Sequence, residues 1–317
     1  MILAGGGGHT SIALALAQTL QAKIHLSFLI PENDQLSRRL LSPYGEVDEL
    51  TKGRYPHSSN YLFPLRFLIS ISQSFSRVRR EYNLVVSTGS NFCIPPALIA
   101  FIKFIPVVNI ESRVAITKPS KTARLLRPFS EWTILQWEEQ LKNLKGTVVG
   151  PIFPQKRFEI KDAGYILVTG GTEGHKSLFD AVVKLDLNRV VMQTGKVCPE
   201  TYRRLKPGWE FISYSTEFEK LIAEASLVIT HQGGGTIFEA VLYEKPLIIV
   251  FNPELTRTAN TEDMKLLARK VNAPFLDRPD SNKILDLIQQ SSSEKTPQFK
   301  NGRENLTQII LKALSLN

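Results

Sequence analysis

Four consecutive glycines, Gly5 to Gly8, follow the apolar residues Met1 to Ala4 and lead into His9 and Thr10. Glycines between a strand and a helix leave backbone N–H groups bare, and a helix start carries partial positive charge. The segment therefore reads as a cradle for a phosphate or carbonyl oxygen. A tight turn needed only for packing would use fewer glycines. His9, at the positive end of the helix, is disfavoured as a cation and so remains available as a base or acceptor, or serves as a plain cap. Glu111 is a second candidate: from Arg54 to Arg127 there are 11 basic residues and two acids, Glu81 and Glu111. Its isolation fits a catalytic carboxylate, acting as base or orienting the imidazole, and equally a pairing with Arg113.

The second half carries three turns of the same kind: Thr169-Gly170-Gly171-Thr172-Glu173-Gly174-His175, Gln193-Thr194-Gly195-Lys196, and His231-Gln232-Gly233-Gly234-Gly235-Thr236. Each follows a β-branched apolar run, at the strand end where open α/β sheets bind ligands. Glu239 lies one helical turn beyond Thr236, where its carboxylate can take both hydroxyls of a ribose or simply complement the helix dipole. The first glycine turn lacks strict GxGxxG spacing with an acid closing the next strand, since Pro31-Glu32 stands there. A nicotinamide dinucleotide is thereby disfavoured.

Positioning these turns takes strands and helices in alternation. The pattern predicts a strand ending at Ala4, a helix through Leu20, and strands at Ile24 to Ile30, Leu84 to Ser87, Pro106 to Ile110, Thr133 to Leu135 and Thr147 to Val149. A second series has strands at Tyr165 to Thr169, Arg189 to Gln193, Trp209 to Ile212, Leu227 to Thr230 and Pro246 to Phe251. Short apolar strands of this type suit buried parallel sheets. The prolines and charges after Gly150 mark a linker. The expected organisation is an acceptor- and membrane-binding domain at 1–150, a linker at 151–163, a nucleotide-binding domain at 164–304 and a separate C-terminal helix at 305–317.

A chain of 317 residues with 43% hydrophobic and 22% charged residues fits two globular domains. Its two cysteines, Cys93 and Cys198, offer neither a disulfide framework nor a zinc site, which points to a reducing compartment. No Asp-x-Asp occurs, so no bound metal or other cofactor is expected. Of the net charge of +9, +7 falls within residues 1–150. No binding module accompanies the charge, which argues against nucleic acid. The apolar stretch from Tyr61 runs into Arg77, Arg79 and Arg80, and with Phe63, Phe67 and Phe75 it suits an anionic membrane surface, as does Pro95 to Phe104; a core helix with a basic end is the alternative. No apolar run is long enough to span a bilayer and none reads as a signal peptide, so a peripheral location on the cytoplasmic face is expected.

The segment His231 to Val250 resembles the donor-binding segment of the catalytic subunit of the dolichyl-diphosphate N-acetylglucosaminyltransferase of N-glycosylation. Val168 to Glu173 and Val191 to Lys196 are similar to that subunit too, and the related bacterial enzyme MurG has similar loops. Leu3 to Thr10, Ser87 to Ser90, Asn109 to Arg113 and Leu135 to Trp137 resemble the other, membrane-recruiting subunit, so both subunits look fused here, over nearly the whole chain. Two features depart from the relatives: the recruiting subunit's transmembrane helix is missing, and Gly150-Pro151-Ile152-Phe153 lacks the arginine that follows the linker turn in MurG.

The resemblance implies an α/β GT-B fold, two Rossmann-like domains with a cleft between them. It implies donor contacts from Gly170, Gly171, Thr172, Gln193, Gly195, His231, Gly233, Gly234, Gly235, Thr236 and Glu239, with Asn260 near the transferred sugar. Gly7, Gly8, Thr10, Thr88, Gly89 and Arg113 would hold the acceptor diphosphate. The implied reaction is inverting, metal-independent transfer of N-acetylglucosamine from UDP-GlcNAc, a substrate, to a lipid-diphosphate-linked GlcNAc, giving a β-1,4-linked chitobiose lipid. His9 and Glu111 are the candidates for the proton. The competing readings are a polysaccharide-assembly galactosyl- or glucosyltransferase, a UDP-sugar 2-epimerase and a silent nucleotide-binding partner. Oligomeric state is not legible.

Overall fold

The structure, a computed structural model, describes residues 1–54, 60–255, 259–291 and 295–315. Two compact units form, residues 1–155 with 299–317, and residues 156–298. In the first, the chain runs β1 (Ile2–Leu3), α1 (Gly8–Leu20), β2 (Ser27–Pro31), α2 (Gln35–Leu41), β3 (Glu46–Leu50) and α3 (Phe63–Arg77). It continues through β4 (Val85–Ser87), α4 (Ile94–Ile102), β5 (Val107–Ile110), α5 (Lys121–Leu126), β6 (Trp132–Leu135) and β7 (Thr147–Val148). These seven strands form one sheet in the order β3-β2-β1-β4-β5-β6-β7, and every pairing is parallel. The order reverses beside β1, so the crevice at the C-terminal end of β1 is where such a sheet takes a ligand.

The second unit repeats the plan with β8 (Ile166–Thr169), α6 (Lys176–Val182), β9 (Val190–Gln193), α7 (Glu200–Arg203), β10 (Glu210–Ile212) and α8 (Phe218–Glu224). After them come β11 (Leu227–Thr230), α9 (Gly234–Leu242), β12 (Leu247–Val250), α10 (Thr261–Lys270), β13 (Phe275–Leu276) and α11 (Ser281–Ser291). The sheet order is β10-β9-β8-β11-β12-β13, again parallel throughout. Central strands such as Leu227–Thr230 and Leu247–Val250 are buried at every residue, as expected where helices cover both faces.

Two strands escape the sequence pattern. β3 is an edge strand, Glu-Val-Asp-Glu-Leu, whose acids face solvent and whose only buried residue is Leu50; charge at an edge discourages pairing with other chains. β13 has two residues, too few for a period.

The domain limits also shift. The last helix, α12 (Arg303–Ser315), is not separate: Leu306, Ile310 and Ala313 enter the same core as Ile12, Ala13 and Leu16 of α1. The expected linker divides instead of standing apart. Up to Phe153 it is fastened to the first unit, where Ile152 N–H donates to Gln136 Oε1 at 3.1 Å and Phe153 N–H to Asn301 Oδ1 at 3.0 Å. From Arg157 it is fastened to the second. There the Tyr243 hydroxyl accepts from the Arg157 and Phe158 amides and donates to Glu219 at 2.6 Å.

Tyr243 is fully buried, so Tyr243→Phe strips a hydrogen bond from a buried carboxylate and two amides at once. The expected cost is about 2–3 kcal/mol, read as a lower urea midpoint with an unchanged slope.

Candidate functional site

The turn after β1 rests on close backbone approach. A β-carbon on Gly5 would lie 1.9 Å from Ser90 Oγ, and Gly6 and Gly7 have φ of +85° and +57°. Gly7 is the N-cap of α1, a 13-residue helix, and supplies no capping side chain; the His9 and Thr10 amides turn back to the Gly6 and Gly7 carbonyls at 3.3 and 3.0 Å. Space around Gly7 is open to 4 Å.

His9 stands in that first turn, and its Nδ1 lies 2.6 Å from the Thr88 carbonyl oxygen. A carbonyl only accepts, so Nδ1 carries the hydrogen and Nε2 keeps its lone pair. Burial pushes the imidazole down to about 4, and the Lys52 and Arg113 cations push the same way against the Thr88 bond. His9 is therefore a neutral, oriented base at neutral pH.

Glu111 takes a different place from the one expected. It is fully buried, and its carboxylate accepts from the Ser112 amide at 2.5 Å and the Ser120 amide at 2.9 Å, tying together the loop after β5. The carbonyl of Thr88 holds the imidazole through Nδ1. Arg113 donates to the Ile152 carbonyl at 2.9 Å. It holds the chain leaving the unit.

Of the expected acceptor contacts, Gly7 and Gly8 lie in the open turn. Thr10 and Thr88 turn their hydroxyls into the protein. The Thr10 hydroxyl meets Ser37 Oγ at 2.5 Å and that of Thr88 donates to the Leu3 carbonyl at 2.7 Å, both buried. Gly89 has φ of +95°, and a β-carbon there would lie 2.4 Å from the Ile110 oxygen, which brings the Thr88 carbonyl up to His9. Lys52 is the residue that sequence reading misses. Its ammonium donates to the Gly5 carbonyl at 2.9 Å, close to Asp34, so a cation underlies the glycine turn. The only signal is its place just past an edge strand that is itself hard to read.

In the second unit the three glycine turns come together. A β-carbon on Gly195 would lie 2.4 Å from the Gly171 oxygen, and one on Gly174 would lie 2.5 Å from the Thr194 oxygen. On Gly171 or Gly233 it would lie 2.7 or 2.5 Å from His231 Nε2. Gly233 is the N-cap of α9, again without a capping side chain, and Gly234, Gly235 and Thr236 form its first turn, with Glu239 following. Thr172 is exposed on the first turn, and its carbonyl accepts from the Lys196 amide at 3.1 Å.

Two residues expected at the donor also bond within the protein. Gln193 is buried, its Oε1 accepting from the Thr169 hydroxyl and its Nε2 donating to the Ser213 carbonyl at 2.7 Å, so it joins neighbouring strand ends. Asn260 is the N-cap of α10: its oxygen takes the Asp263 amide at 2.8 Å and its amide donates to the Asp263 carboxylate at 2.7 Å. Among the described residues, no cluster of three His, Cys, Asp or Glu is arranged to hold a metal ion.

Helix α3 is inverted in polarity. Its buried residues are Ser70 and Ser74, while Leu65 and Leu68 are 57% and 63% exposed and Phe75 is exposed. This excludes a core helix. The Phe63 and Phe67 rings lie 5.6 Å apart, tilted by 34°, exposed Phe101, Ile102 and Phe104 belong to α4 and its C-terminal turn, and Arg80 is exposed just past α3. Arg79 is engaged by Glu46 and Glu81, and Arg77 is partly buried. No helix among the described residues is long and apolar enough to cross a membrane.

Residues 1–151 match the family described as "Oligosaccharide biosynthesis protein Alg14 like", and residues 165–314 match "Glycosyltransferase family 28 C-terminal domain". The UDP-N-acetylglucosamine--N-acetylmuramyl-(pentapeptide) pyrophosphoryl-undecaprenol N-acetylglucosamine transferase of Clostridium botulinum is 25% identical, covering 99% of this chain and 98% of that protein. The enzyme of the same name from Clostridium tetani is 23% identical, covering 98% and 97%. Among solved structures, Acinetobacter baumannii MurG is similar with a TM-score of 0.62 at 20% identity, covering 99% of this chain and 94% of that one. The UDP-GlcNAc 2-epimerase of Neisseria meningitidis bound to UDP-GlcNAc has a TM-score of 0.68 at 16% identity, covering 100% and 99%. The chain joins an Alg14-like region to a glycosyltransferase family 28 C-terminal domain, and its fold is the GT-B arrangement of Rossmann-like α/β domains.

Proposed function

We propose that this chain transfers N-acetylglucosamine from UDP-GlcNAc to a lipid-diphosphate-linked GlcNAc with inversion and without a metal ion, giving a β-1,4-linked chitobiose lipid for N-glycan assembly. The observation that carries this reading is the His9 imidazole, with Nδ1 fixed on Thr88 and Nε2 free of a proton beside an uncapped helix start. The Clostridium botulinum relative, by its name, moves the same sugar to a pyrophosphoryl-undecaprenol acceptor.

In this mechanism Nε2 takes the acceptor hydroxyl proton as the oxygen attacks the anomeric carbon. The bond from that carbon to the diphosphate breaks, and its electron pair goes to the departing UDP. The second unit's glycine turns and the N-terminus of α9 take up that negative charge, and Glu239 binds the ribose. Glu111 acts as a positioning residue through the loop it closes. The apolar face of α3 and α4, with its basic border, is assigned in this reading to an anionic membrane surface, and the reading carries with it a peripheral location on the cytoplasmic face.

A second reading rests on the 2-epimerase neighbour, whose TM-score exceeds that of MurG. One assay separates the two: labelled UDP-GlcNAc with synthetic lipid-diphosphate-GlcNAc in EDTA, with UDP-glucose and UDP-galactose in parallel. A lipid-linked disaccharide from UDP-GlcNAc alone is expected. Product only from another donor moves the enzyme to polysaccharide assembly, and epimerised nucleotide without transfer makes it an isomerase.

His9→Ala is expected to lower kcat about 10²- to 10⁴-fold with donor affinity unchanged. Because His9 works unprotonated and its pKa is held down to about 4, kcat/KM in the wild type should stay level through neutral pH and fall only as pH drops toward 4. For the membrane face, Leu68→Glu alters an exposed residue and leaves the core intact. It should weaken co-sedimentation with phosphatidylserine vesicles about tenfold, and unchanged binding would remove α3 from the interface.

A further inference from the structure

His175 and His231 form a pair that the mechanism so far leaves unused. Both are more than nine-tenths buried. Neither ring nitrogen of His175 has a hydrogen-bond partner in the protein, and His231 Nδ1 has none. His231 Nε2 faces Gly171 and Gly233, the two positions where a β-carbon would collide with it, and so looks onto the backbone at the uncapped start of α9. The two rings lie close enough that a charge on one opposes a charge on the other.

Resting on the assignment of the donor to the second unit, we propose that this pair takes up one proton when a sugar-nucleotide diphosphate binds over Gly171 and Gly233, carries it on His231 while the anomeric bond breaks, and returns it to water as the nucleoside diphosphate leaves. The proton comes from solvent on binding, separate from the acceptor proton that goes to His9. It offsets one negative charge on the leaving group. An imidazole suits this task better than a lysine, because it is neutral in the unliganded site and burial then costs little.

Burial holds His231 down to about 4 and His175 to about 3, with His231 adding to the latter. The charged side chains on the surrounding elements are Glu173 with its partner Lys196, Lys176 with its partner Asp180, Glu239 on α9 and Glu254 after β12. None contributes to either depression, so the incoming anion is the charge that changes.

The test is calorimetry of UDP-N-acetylglucosamine binding to the full chain without acceptor, in two buffers of different ionisation enthalpy. This ligand has no phosphate monoester, the group that titrates near about pH 6, so uptake belongs to the protein. About half a proton or more should be taken up at pH 6, with the dissociation constant rising several-fold toward pH 8. His231→Asn should abolish the uptake and flatten the profile. In wild type labelled with ¹⁵N-histidine, at least one buried imidazole should move to the cationic range on binding, a readout that needs no variant. Binding with no uptake and all rings neutral overturns the proposal while leaving transfer intact. Absence of any sugar-nucleotide binding overturns both.

Discussion

Both units depend on backbone segments lying closer together than a β-carbon allows. A β-carbon on Gly195 would lie 2.4 Å from the Gly171 oxygen, one on Gly89 2.4 Å from the Ile110 oxygen and one on Gly5 1.9 Å from Ser90 Oγ, so these positions admit no other residue without a shift of the neighbouring loop or strand end. The benefit is geometric. Glycines let the loops pack this tightly, and neither α1 nor α9 carries a side-chain cap at its N-terminus. Parallel sheets make this possible, because every strand delivers its loop to the same edge.

The rest of the architecture holds those edges still. Thr88 illustrates the economy: its hydroxyl bonds back to Leu3 on the neighbouring strand while its carbonyl fixes His9, so one residue joins sheet to base. Glu111, Gln136 and Gln140 do similar work for the loop after β5, each bonding mainly to backbone. In the second unit Gln193 and Gln232 link adjacent strand ends, Gln232 through both backbone groups of Asn252. Buried polar side chains in this protein serve mostly as braces, and that is why several that look like ligand contacts in the sequence point inward.

The legible part of the sequence was backbone chemistry. Glycine runs after apolar β-branched segments locate the turns, and runs buried on both faces locate the central strands, because both signals are local. What the residues could not reveal depends on partners distant in sequence. Lys52 reaches Gly5 across 47 positions. Asn260 reads as a sugar contact until Asp263 is seen to occupy both ends of its amide. The last helix reads as separate because nothing in Leu306 or Ile310 names α1 as the surface they cover. The inverted polarity of α3 is a similar case: its composition fits a core helix or a surface one, and only the burial of Ser70 and Ser74 decides.

His9 and His231 lie on opposite sides of the N-caps of α1 and α9, two residues after Gly7 and two before Gly233, and burial holds both imidazoles down. Their electrostatic surroundings differ. Lys52 and Arg113 add to the depression of His9, so under the proposed mechanism a proton received there is readily lost again. No cation contributes to the depression of His231, and its outward nitrogen faces backbone glycines. In the proposed donor site, an arriving diphosphate would add the negative charge that raises this imidazole toward protonation. Under the two proposals together, the repeated scaffold separates proton removal from charge compensation by where it puts its lysines and arginines.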